Sequence, residues 1–170
     1  MKLQKVGRHP EDLPETSNNR LVLLLSHHFA SSGHVVRWDY YRKTPLVPLY
    51  VSVWRNVEGT KYQLVDYNEL LPGVIDFQAK DISEDEQIEV KSGDIVGVFY
   101  SRYAISGAIA MATSKDSGKD DNGNSARVVE VDLWEEDLSP GDVIDLEDVS
   151  HHYSNIELAL QANVKVAEKS

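Results

Sequence analysis

Ile156-Glu157-Leu158-Ala159-Leu160-Gln161-Ala162-Asn163-Val164-Lys165-Val166 alternates an apolar side chain with a polar or small one along its whole length. Successive side chains of a strand point to opposite faces, so this run offers one continuous apolar face. A helix would scatter the same residues around its circumference. The stretch reads as one long strand laid against a core.

The same period of two recurs upstream. Val36, Trp38 and Tyr40 share a face, with Arg37 and Asp39 on the other. Leu49, Val51 and Val53 alternate with Tyr50, Ser52 and Trp54, which makes one aliphatic face and one carrying two aromatics. Glu58-Gly59-Thr60 turns into a strand over 62–67, a hairpin. Strands are predicted over 74–78, 87–90, 95–100, 127–133 and 143–146, while 108–112 reads as a short strand or a helical turn. Pro45 and Pro48 mark a connection, and Pro72-Gly73 a turn. No amphipathic helix exceeds two turns. About ten short strands joined by turns imply an all-β fold, an antiparallel β-sandwich of jelly-roll type.

Ser92-Gly93-Asp94-Ile95-Val96 and Ser139-Pro140-Gly141-Asp142-Val143-Ile144 share a pattern, a turn feeding a strand. Two recurring turns explain it more simply than a duplicated half-domain. At 170 residues the chain fits one domain. Gly7, Pro10 and Pro14, followed by Thr16-Ser17-Asn18-Asn19, make 1–20 an extended N-terminal arm, and 21–168 a single β-sandwich domain.

The formal charge is −11, and no basic patch offsets it, so nucleic acid is not an expected partner. Residues 130–148 hold nine carboxylates and no Lys or Arg, a solubilising surface or an attraction for cations and basic partners. No apolar run approaches the ~20 residues of a membrane-spanning helix, and membrane insertion is not expected. Without cysteine there are no disulfides, thiolate metal sites or cysteine nucleophiles.

Gly33-His34-Val35-Val36-Arg37-Trp38 with Tyr40-Tyr41, Val51-Ser52-Val53-Trp54-Arg55 and Tyr62-Gln63-Leu64-Val65 follow one another in order. After them come Val90-Lys91-Ser92-Gly93-Asp94-Ile95-Val96-Gly97, Tyr153-Ser154 and Leu160-Gln161-Ala162-Asn163-Val164. This series is similar to β-sandwich modules of jelly-roll type found in invertebrate extracellular proteins, and the likeness covers roughly 28–164. It implies a secreted or surface-exposed module whose leader has been removed. The chain departs from the pattern at the longer, more polar loop 114–125 and at the wider gap after Tyr153-Ser154.

Three constellations carry candidate chemistry. Asp116, Asp120, Asp121, Asn122 and Asn124 lie in a Gly-containing loop with enough oxygen donors for calcium, although Lys119 interrupts it and no closing Glu follows. Tyr50, Trp54, Tyr100 and Tyr103, with Arg55 and Arg102 on the rim, form a candidate ring platform for a glycan. The competing reading covers both faces of those strands and places the aromatics in the core. His27-His28 and His151-His152 would supply metal ligands if the first and last strands were neighbours.

No Gly-x-Ser-x-Gly, phosphate-binding Gly-rich loop or His-Glu-x-x-His occurs. The expectation is therefore a non-catalytic extracellular binding or adhesion module recognising glycan or protein through loops, with calcium as its one candidate cofactor. The alternative is a structural subunit that self-assembles as a homo-oligomer through the arm. A metal-dependent enzyme built on the histidine pairs is the weaker third reading.

Overall fold

The computed structural model describes residues 3–13, 15–16, 21–43, 49–70, 73–100, 109–113, 128–132, 138–154 and 156–167. These form an all-β, antiparallel β-sandwich of two packed layers with a jelly-roll-like arrangement.

Fifteen strands occur among the described residues. The first half comprises β1 (Leu3–Gly7), β2 (Glu15–Thr16), β3 (Leu21–His28), β4 (Gly33–Arg42), β5 (Leu49–Glu58), β6 (Lys61–Leu70) and β7 (Asp76–Asp81). A 3₁₀ turn, Glu84–Glu86, leads to β8 (Ile88–Val90) and β9 (Ile95–Tyr100). Then come β10 (Ala110–Thr113), β11 (Val128–Val131), β12 (Val143–Asp145), β13 (His151–Ser154), β14 (Ile156–Leu158) and β15 (Leu160–Val166). Of the segment 108–112, open to a strand or helical reading, 110–112 lie in the strand β10.

One layer is a seven-stranded sheet in the order β12-β6-β5-β9-β3-β11-β13. The other is the sheet β1-β15-β4-β7, with β8 also on β4, and it continues into the short sheet β14-β10-β2. Ala159 links β14 directly to β15, its carbonyl accepts from the Tyr41 amide at 3.1 Å, and Arg42 bridges to Ile109. The closing run of the sequence is therefore two strands rather than one. Its alternation survives the break, because Ile156, Leu158, Leu160, Ala162 and Val164 all enter the inter-layer core.

That core interleaves Val22, Val51, Val53 and Val98 of the first layer with Val35, Trp38, Tyr40 and Leu160 of the second. Removing a Leu, Ile or Val side chain from water contributes about 1.5–3 kcal/mol, which makes this interior the main favourable term.

The seven-stranded sheet buries its far face as well. Leu21, Leu23, Trp54, Leu64, Val129 and Val131 form a second buried cluster there. Curling of the sheet accounts for it. Residues 146–150 alone join β12 at one edge to β13 at the other. Six Cα steps reach about 22 Å at most. The edges of a flat seven-stranded sheet would stand about 29 Å apart. The sheet must wrap toward itself, and the second cluster fills the inside of the curl.

The N-terminal residues are better anchored than their breakers suggest. β1 pairs antiparallel with β15 along its full length, from Leu3↔Lys165 to Gly7↔Gln161. Val6 and Leu13 are buried, and Lys43 Nζ donates to the Leu13 carbonyl at 2.5 Å and pairs with Asp12 at 3.2 Å. Alternation is weak over so short a run, and the pairing with β15 is a contact between opposite ends of the chain.

Candidate functional site

Two offsets in strand register position a cleft among the described residues. On β6, Val53 faces Asp66 and Trp54 faces Leu64, so Val65 is the extra residue of a β-bulge. Beyond it the phase inverts: Tyr62 and Leu64 lie toward the second cluster, as does Tyr67, while Asn68 and Leu70 lie on the face turned to the inter-layer core. On β4, the break between Asn163 and Val164 makes Val36 the extra residue and brings Trp38, Tyr40 and Arg42 inward.

Facing β6 across the seam, β4 and the 3₁₀ turn are tied to it through one amide. Trp38 Nε1 donates to Asn68 Oδ1 at 2.9 Å, and Asn68 Nδ2 donates to the Glu86 carbonyl at 2.9 Å. Beside this clamp lies a cleft of about 600 Å³. Its buried floor includes Tyr40, Asn68, Leu70 and Ile82. Glu69, Lys80, Asp85 and Glu86 are exposed at the rim, and Asp66 and Tyr67 are half-buried between floor and rim. Four carboxylates against one lysine make the cleft electronegative, so an anionic ligand is disfavoured there.

Burial raises the Tyr40 hydroxyl above its ordinary pKa, and the neighbouring Arg42 offsets this only in part. Tyr40 is thus a protonated phenol at neutral pH, equipped to hydrogen-bond rather than to act as a base. Arg42, fully buried, stands 5.8 Å from the Tyr40 ring centre and donates to the Leu70 carbonyl at 3.4 Å.

The residues expected to form a ring platform are dispersed. Trp54 has no exposure, donates its indole N–H to Ser52 Oγ at 2.9 Å, and belongs to the cluster inside the curl. Tyr100 is also buried, but on the opposite face, in the inter-layer core. Alternation along β9 is the reason: Phe99 takes the curl side and Tyr100 the other. Tyr50 stacks on Phe99 at 5.0 Å and 12°, with Tyr67 edge-on to both.

Arg55 forms a bidentate pair with Asp94, Nε to Oδ1 at 2.8 Å and Nη2 to Oδ2 at 2.9 Å. The pairing raises the Arg55 pKa further. Its role there is to close a turn rather than to rim a platform. Arg102 and Tyr103 lie outside the described residues, as do Asp116, Asp120, Asp121, Asn122 and Asn124.

The histidine pairs are not brought together. β13 lies beside β11 and β11 beside β3, as a jelly-roll neighbourhood requires, but His151 shares the row of Leu21. His27 and His28 sit at the far end of β3, about 20 Å away along the strand. Among the described residues, no three His, Cys, Asp or Glu side chains are grouped to hold a metal ion.

The two similar turns share their geometry. The Asp94 carboxylate accepts from the Lys91 amide at 2.8 Å, and the Asp142 carboxylate from the Ser139 amide at 2.9 Å. Gly93 and Gly141 adopt φ 95° and 96°, and both amides donate outward at 2.8 Å, to the Phe29 carbonyl just past β3 and to the Leu64 carbonyl on β6. A positive φ at the third residue is the type II signature, for which Pro140 at the second is well suited.

The cleft residues lay in runs whose alternation marked them only as strand or loop. No local motif distinguishes Asp66, Glu69 or Asp85 from other surface acids, and the cleft lies between elements that only long-range pairing brings together. Comparison of the chain with protein-family models, curated proteins and solved structures finds no match.

Proposed function

We propose that this β-sandwich is a non-catalytic, extracellular binding module that takes a neutral or amino-bearing glycan in the cleft between β6, β7 and the 3₁₀ turn. The observation that carries this reading is the lining of the cleft, with the Tyr40 ring on its floor beside Asp66, Asn68 and Asp85. Sugar rings pack apolar C–H faces on aromatics, while vicinal hydroxyls donate to carboxylates and amides. A cleft of about 600 Å³ is within the range of small-ligand sites. The extracellular placement rests on the likeness of the strand and turn motifs to jelly-roll modules. Calcium at the loop 114–125 is a separate expectation of the same reading.

The test is a glycan array read with and without calcium, followed by titration of the labelled protein with the best hit. Hits should be neutral or cationic sugars, amide shifts should centre on Asp66, Asn68 and Asp85, and Asp85→Lys should weaken binding about tenfold or more. Absence of any hit in both conditions overturns the glycan reading. Shifts centred away from β6 and β7 overturn the site.

A further inference from the structure

The two layers treat their edges differently. The seven-stranded sheet curls, so its edge strands β12 and β13 are drawn toward one another. The sheet β1-β15-β4-β7 does not close, and among the described residues β1 and β7 each have a strand on one side only. An unprotected edge presents a row of backbone N–H and C=O groups that another strand can pair with.

These two edges fit each other. β1 is antiparallel to β15, β15 to β4 and β4 to β7, so β1 and β7 run in opposite directions. A second copy placed beside β7 in the same orientation therefore offers its own β1 as the next antiparallel strand. The rows across the sheet carry the register. One row is Lys5↔Asn163↔Arg37↔Asp81, and the next is Gly7↔Gln161↔Asp39↔Ala79. Extended straight on, the first row sets Lys5 of the incoming strand against Asp81, both exposed. The second sets Gly7 against Ala79, small against small.

Exposed apolar residues cluster at the same edges. Phe77 of β7 is 47% exposed, with Val74 and Ile75 just before it at 69% and 54%, and Leu3 of β1 is 47% exposed. In this register β1 lies against residues 79–81 and Phe77 falls opposite His9, so the apolar residues border the new contact rather than fill it.

We propose that this chain self-associates head to tail, with β1 of one copy adding antiparallel to β7 of the next in the register that pairs Lys5 with Asp81. The occupant is a second copy of this chain, chosen by the matching direction, charge and residue size of its own two edges. The contact is heterologous, so it propagates into a ring or a filament rather than stopping at a two-fold dimer. It does not depend on the cleft or its ligand.

Sedimentation velocity over a concentration series at fixed salt tests this directly. The expected result is a sedimentation coefficient that rises with concentration. Lys5→Glu and Asp81→Lys should each move the midpoint upward about five- to tenfold, since each puts like charges opposite one another. The double charge swap should return it toward the starting value. Circular dichroism of each variant checks that the exposed changes leave the fold intact. A protein that stays monomeric to about 1 mM, single variants that associate as the parent does, or a folded double swap that fails to restore association would overturn the proposal.

Discussion

Trp38 and Asn68, thirty positions apart on different layers, are joined by an indole-to-amide hydrogen bond of 2.9 Å in a buried site. Asn68 passes the constraint on by donating to the Glu86 carbonyl, so one side chain ties β4, β6 and the 3₁₀ turn together. Both of its polar atoms are used. That arrangement stands beside the cleft, of which Asn68 and Glu86 are both lining residues.

Removing the amide therefore has a structural and a functional consequence. Asn68→Ala leaves the Trp38 N–H without its partner, which costs about 1–3 kcal/mol in urea denaturation. Trp38→Phe alone is also destabilising, but adding Asn68→Ala to it should cost less than Asn68→Ala does in the parent. Strictly additive effects would show that the bond is not a coupled pair.

Gly97 is held to its identity by Trp54. A Cβ there would stand 2.7 Å from Trp54 Cδ1 and Nε1, atoms of a rigid, fully buried ring. Gly97→Ala should destabilise by about 1–3 kcal/mol through overpacking. Trp54→Phe in the same background should recover part of the loss, as judged by the midpoint of chemical denaturation.

The paired turns predict a contrast. Asp94 is buried, accepts from the Lys91 amide and holds the half-exposed Arg55, whereas Asp142 is exposed and serves its own turn alone. Asp94→Ala should cost about 2–3 kcal/mol, because a charge-assisted pair and a buried amide both lose their acceptor. Asp142→Ala should cost about 1 kcal/mol or less. Equal losses would contradict the difference in burial.

Asp145 gives the pH dependence. The Thr60 hydroxyl donates to its carboxylate at 2.6 Å, with a further contact from the Glu147 amide, and these hold the Asp145 pKa below the ordinary Asp value. A depressed folded-state pKa means the contribution is present above the unfolded pKa of about 3.9 and lost as pH falls through the folded value. Asp145→Asn should lower Tm at pH 7, with the difference from the parent shrinking as pH falls below about 4, in thermal melts followed by circular dichroism.

Much of the architecture was legible because strand alternation is a local signal. Alternation puts Val36, Trp38 and Tyr40 on one face, yet the bulge at Val36 leaves only Trp38 and Tyr40 in the core, with Val35 taking the third place. A bulge adds one residue without any side chain announcing it. The same blindness hid the cleft, because Asp66 and Asn68 share the face turned to β4 only in the phase that Val65 sets.

What the sequence determined by itself is the class: alternating apolar residues, interrupted by Gly and Pro turns, have no low-energy solution other than stacked antiparallel strands. What tertiary structure alone decided is which alternating face meets which. Trp54 is enclosed because its sheet curls, Tyr100 is enclosed because the other layer covers it, and β1 is held by a strand from the opposite end of the chain. Side-chain identity specifies how strongly a residue avoids water. Only the long-range pairing of strands specifies what shields it.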